Sequence, residues 1–208
     1  MMNCPVEIKS AETTALLSDH KNKHFGSASI NKRVRLLKPL KTKIFLCKGE
    51  RFMNVQIYSR KDIEALIGSG HFPQNAAAVS FCDRGSEPCD RVDYSGVCGR
   101  VMYIELDDLD LEELSESGFT YDTFFPEADE AAEFIIAVYN SGMDIICQCE
   151  YGQSRSAGCA AAVMEHFYHT GISLFADYRY YPNKVVYHKI FDALKAYKER
   201  FPNWMTLR

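Results

Sequence analysis

The chain has 208 residues, 47% of them hydrophobic and 25% charged, with a formal net charge of -4. That length supports one substantial core rather than two, and the negative balance gives the whole molecule no electrostatic case for binding nucleic acid or an anionic membrane. No apolar run approaches the about 20 residues that span a bilayer, and the N-terminus lacks a secretory layout, so the expectation is a cytoplasmic protein whose eight cysteines are reduced thiols.

Residues 1–40 are polar, without a sustained apolar period, and every charged residue from His20 to Lys43 is basic. A solvated, flexible basic arm is expected there, with a folded domain over 41–208. Residues 43–47 and 53–58 are rich in β-branched and aromatic side chains and read as strands. Ser59 stands as an N-cap with Asp62 three residues on, and Ile63, Leu66 and Ile67 recur at helical spacing until Gly68 and Gly70. Residues 77–82 read as a buried strand. The stretch 83–100, rich in Gly, Ser, Asp and Pro, reads as a long loop, and 101–106 as a further strand. Pro126 suits a first helical turn, followed by a stripe of Ala128, Ala131, Ala132, Ile135, Ile136 and Tyr139 that ends at Ser141 and Gly142. An apolar strand over 144–149, a small-residue turn and an alanine-rich helix over 156–168 then follow, and Pro182 and Asn183 open a last helix to about Arg200. This alternation predicts an α/β fold: a central, mainly parallel sheet flanked by helices, with the turn after residue 149 joining a central strand to the alanine-rich helix.

That turn carries the chemistry. It reads Cys149, Glu150, Tyr151, Gly152, Gln153, Ser154, Arg155, Ser156, at the carboxyl end of a strand and the N-terminus of a helix, where ligands of open α/β sheets bind. Backbone N–H groups converging there suit a dianionic phosphate, and Gly152 permits the tight curvature. A cysteine facing the same donors, near a guanidinium, should hold its negative charge at neutral pH and attack as the thiolate. Arg155, six positions after Cys149, can return over the loop and offer two phosphate oxygens its planar fork. Ser156 can hydrogen-bond the sulfur as it leaves. The expected substrate-binding set is therefore Glu150 to Ser156, with Cys149 and Arg155 reactive.

On these residues the chain resembles the cysteine-dependent protein tyrosine phosphatase superfamily, whose signature is H-C-x5-R-S/T, and within it the compact dual-specificity-like branch. The resemblance covers roughly residues 43–200: the loop, an acid-bearing segment about 40 residues upstream, the intervening amphipathic helix and the late Pro-Asn. One departure is Gln148 where the family has histidine. The resemblance implies a phosphoric monoester hydrolase acting on a phosphorylated protein or peptide through a phosphocysteine intermediate, without metal or other cofactor.

A leaving alkoxide or phenoxide needs a proton, commonly from a carboxylic acid on a nearby loop. In the run from Met102 to Asp110, the alternation of Met102, Ile104 and Leu106 continues to Asp108, and the family pattern of an apolar strand followed by Asp agrees. Asp108 is the expected acid; Asp107 stays open, because a one-residue slip at the strand's end exchanges their directions. A second reading is a binding module, a pseudophosphatase that holds phosphoprotein without turnover. Sulfurtransferases and arsenate reductases also use a cysteine in an anion-binding loop, but the Gly and Ser placement and the acidic segment favour a phosphatase. Cys147 shares a strand face with Cys149 and is read first as a core cysteine, with a Cys147–Cys149 disulfide as the alternative. The six histidines form no metal-ligand spacing.

Overall fold

The computed structural model describes residues 52–87 and 90–204; the basic arm and the strand expected over 43–47 lie outside the described residues. Four strands, β1 (Val55–Ser59), β2 (Ala76–Cys82), β3 (Val101–Glu105) and β4 (Asp144–Cys149), form a sheet of order β1-β4-β2-β3. All three pairings are parallel. Helices α1 (Arg60–Gly68), α2 (Tyr121–Phe124), α3 (Ala128–Asn140), α4 (Arg155–Tyr168), α5 (Ile172–Phe175) and α6 (Lys184–Arg200) complete the order.

Parallel strands need crossovers that cover the sheet, so both faces are buried and the strands carry apolar residues on each. In β2, Ala77, Val79 and Phe81 join the larger cluster, whereas Ala76 and Ala78 enter the smaller one on the opposite face. β4 divides the same way: Ile145, Cys147 and Cys149 pack with α3, α4 and α6, and Ile146 packs with Ile63 of α1. Val92 and Tyr94, from the long segment between β2 and β3, also fill the smaller cluster. That segment is therefore part of the core as well as a connection, and Tyr94 meets Phe72 edge-on with ring centroids 5.9 Å apart.

Local chemistry explains most element ends. Ser59 caps α1 by accepting from the Asp62 amide at 3.1 Å, and Asn183 caps α6 by accepting from the Val186 amide at 2.9 Å. Pro126 precedes the α3 N-cap, Glu127, instead of lying within the first turn. Two four-residue helices, α2 and α5, were not expected from the sequence; α2 is fixed by reciprocal bonds between Thr120 and Thr123. They are too short to show an amphipathic period.

Candidate active site

β4 lies between β1 and β2, and its carboxyl end delivers Cys149 into a loop that enters α4. Two neighbours hold the loop. On one side the Arg60 amide donates to the Glu150 carbonyl at 3.1 Å. Gly152, at φ +69°, lies so close to the β1–α1 junction that a Cβ would stand 2.5 Å from the Ser59 nitrogen. Both the left-handed backbone and the contact require glycine. On the other side the Gln153 carbonyl accepts from the Tyr181 amide at 2.9 Å, and the Ser154 carbonyl from the Asn183 amide at 3.2 Å.

The expected residues come together here. Cys149 is 1% exposed, with its sulfur 3.1 Å from the Ser156 hydroxyl. Arg155 is 3% exposed. Its Nη1 donates to Asp83 Oδ1 at 2.6 Å and to the Leu106 carbonyl at 2.5 Å. Its Nε is buried and has no hydrogen-bond acceptor among the described residues. The α4 N-cap, Ser154, makes no side-chain capping bond; its hydroxyl donates to Asp108 Oδ1 at 2.6 Å instead. The first-turn amides of α4 thus receive no capping oxygen from Ser154, at the end where the helix dipole favours an anion. Tyr151 projects outward, 76% exposed.

The two candidate acids separate. Asp107 Oδ1 accepts from the Arg84 amide at 3.1 Å, in the long β2–β3 segment. Asp108 instead faces the loop: besides Ser154, Oδ1 accepts from Asn183 Nδ2 at 3.1 Å, and Oδ2 lies 3.9 Å from Arg155 Nε. The alternation of Ile104 and Leu106, both buried, continues past the end of β3 as expected.

Gln148, just before Cys149, is buried, and its Oε1 accepts from the Ser80 hydroxyl at 2.5 Å across the β2–β4 pairing. Cys147 meets Cys159 of α4: the two buried sulfurs are 3.6 Å apart. That hydrogen bond, reinforced by burial, pushes the Cys147 thiol well above its ordinary value. It is a core thiol, as read first.

Sequence reasoning missed several site residues. A cleft of about 270 Å³ beside the loop is lined by Arg60, Asp83, Asp90, Arg91, Gln148 and Arg155, among others. Arg60 stands at the start of α1 and pairs with Glu64 at 2.9 Å, while Arg91 pairs with Glu105. The loop itself carries no cation besides Arg155, as its sequence says, but the fold brings two more guanidiniums beside it. Asp83 and Arg91 lie in a Gly-, Ser- and Asp-rich stretch whose composition gave no sign of which acid or base would turn inward. Asn183 was read as a helix opener, and its link to Asp108 had no sequence signal. Among the described residues, no group of His, Cys, Asp and Glu side chains is placed to hold a metal ion, and no helix is long and apolar enough to cross a membrane.

No protein-family model matches the chain, and no curated protein matches it. It is similar to several solved structures. One is the crystal structure of PTPMT1 in complex with PI(5)P, at 14% identity over 71% of this chain and 94% of that one, TM-score 0.44. A second PTPMT1 crystal structure is 13% identical over 72% and 95%, TM-score 0.40. The crystal structure of human DUSP28 is 14% identical over 70% and 94%, TM-score 0.41. The chemistry of the site therefore rests on the geometry of its own residues.

Proposed function

We propose that this chain is a protein phosphatase that hydrolyses phosphotyrosine, with phosphoserine and phosphothreonine as further substrates, through a phosphocysteine intermediate. The observation that carries the reading is the Arg155 Nε–H, buried beside the Cys149 loop without an acceptor among the described residues. A buried guanidinium N–H left unpaired is costly, and an anion in the loop pairs it.

In the first step the Cys149 sulfur attacks phosphorus, an S–P bond forms, the P–O bond to the substrate breaks, and Asp108 gives its proton to the departing oxygen. In the second, water attacks phosphorus, Asp108 takes a proton from that water, and the S–P bond breaks. The returning thiolate is received by the Ser156 hydroxyl, 3.1 Å away. Arg155 and the loop amides stabilise the equatorial oxygens throughout.

A protein phosphomonoester fits the surroundings. Arg60, Arg91 and Arg155 in the adjacent cleft are matched by Asp83, Asp90 and Glu150, so the cleft has no cationic excess to attract a polyphosphorylated headgroup or an RNA end.

The test is hydrolysis of a small aryl phosphate, followed by a phosphopeptide panel. Cys149→Ser abolishes turnover, and Arg155→Ala lowers it by about 10²–10³, the scale of a transition-state donor. Turnover that survives Cys149→Ser overturns the mechanism. Tight retention of phosphopeptide by the wild-type protein without hydrolysis assigns it instead to the binding-module reading.

A further inference from the structure

Asn183 joins three parts of the molecule. It is 3% exposed, and its Oδ1 caps α6 at the Val186 amide, 2.9 Å away. Its Nδ2 donates both to Asp108 Oδ1 at 3.1 Å and to the Leu109 carbonyl at 2.9 Å. Its own amide donates to the Ser154 carbonyl at 3.2 Å. Ser154, from the phosphate side, gives its hydroxyl to the same Asp108 oxygen at 2.6 Å. One carboxylate oxygen thus receives two donors from opposite neighbours, while the other, Oδ2, lies 3.9 Å from Arg155 Nε.

We propose that Asn183 and Ser154 are positioning residues that dock the acid segment on the phosphate loop, making Oδ1 of Asp108 the acceptor and Oδ2 the oxygen that carries the transferred proton. The assignment rests on the phosphatase reading of this site. Its physical content is a division of labour within one carboxyl group. A carboxylic acid has one O–H; two donors on Oδ1 leave that oxygen no place for it. The proton therefore sits on Oδ2, on the side of Arg155 and the loop. It passes to the departing oxygen in the first step and returns to Oδ2 from water in the second. The acid segment is already docked in the protein alone, held by bonds to a helix cap and to the loop itself.

A residue acting through the acid affects poor leaving groups most, because good ones depart without a proton. The experiment measures kcat for a series of aryl phosphates, from nitrophenyl to unsubstituted phenyl, in wild type, Ser154→Ala and Asn183→Ser. Serine retains an N-cap oxygen for α6 but not the carboxamide NH2 that reaches Asp108 and the Leu109 carbonyl. The expected result is a loss for phenyl phosphate about tenfold to hundredfold greater than the loss for nitrophenyl phosphate, the scale of a misplaced catalytic group, and so a steeper dependence on leaving-group acidity. In an Asp108→Asn background the same two changes add nothing further, as expected for groups acting through one carboxyl. Ser154→Ala alone decides the matter if Asn183→Ser does not fold. An equal loss across all leaving groups overturns the assignment, as does a selective loss that persists without Asp108. Absence of wild-type turnover overturns the phosphatase reading, and this assignment with it; a uniform loss leaves that reading intact.

Discussion

Gln148 occupies a position where an ionisable ring would be expected from the family pattern, and its neutral carboxamide is held by one hydroxyl. Ser80 donates to its Oε1 at 2.5 Å, and both residues are buried. Such a pair contributes little net stability while intact, but removing the donor leaves a buried carbonyl unsatisfied. Ser80→Ala is therefore expected to lower stability by about 1–3 kcal/mol, read as a lower urea midpoint at unchanged m-value. Adding Gln148→Leu to Ser80→Ala recovers most of that loss, since neither polar partner then remains. Because Gln148 immediately precedes Cys149, the same bond fixes the strand residue from which the loop departs. The Ser80 hydroxyl thus belongs to the foundation of the site through Gln148.

Among the elements, α4 and α6 approach closely beside the loop. Gly158, in the first turns of α4, has no side chain because a Cβ there would stand 2.6 Å from the Asn183 carbonyl oxygen and 3.3 Å from Val186 Cβ. Within a helix, alanine ordinarily stabilises over glycine by about 1 kcal/mol. Here the sign reverses, because the atom it meets is backbone and the start of α6 must move. Gly158→Ala is expected to cost about 1–3 kcal/mol, seen as a lower Tm. Since Asn183 moves with α6, turnover of phenyl phosphate falls further than that of nitrophenyl phosphate. The long β2–β3 segment illustrates the converse: its composition reads as surface loop, yet Val92 and Tyr94 anchor it in the core, and Asp83 at its start reaches Arg155.

At the scale of the whole molecule, the far end of α4 is closed by an aromatic cluster remote from the loop. His166 packs against Phe167 and Trp204, with ring centroids 4.8 Å and 5.8 Å away. Burial, with Lys198 and His169 nearby, lowers its pKa from 6.5 to about 4. Its folded value lies below its unfolded value, so the unfolded chain takes up the proton first. The stability from keeping the ring neutral is fully present above about pH 6.5 and is lost as pH falls from there toward 4. Urea midpoints measured between pH 7 and pH 4.5 are expected to fall, and to fall less steeply in His166→Gln. Carboxylates add their own dependence over the lower part of that range, so the difference between the two proteins is the informative quantity.

The order of the longer elements from β1 to α6, the strand ending at Cys149, the loop through Ser156 and the caps at Ser59 and Asn183 were legible in the sequence because each is decided within a few residues, by periodicity, turn chemistry or spacing. Asp108 was legible up to a one-residue ambiguity, for the same local reason. The partners that complete the site were not. Ser80 and Gln148 are 68 residues apart, Asp83 and Arg155 72, and Asp108 and Asn183 75. Those pairings depend on which strands are neighbours, on their register and on how α6 packs across α4. Hydrophobic period specifies which face of a strand is buried, but not which strand lies beside it. The sequence alone determined Cys149, Arg155 and the turn that brings them together; the parallel sheet decided which aspartate faces them and which side chains hold it there.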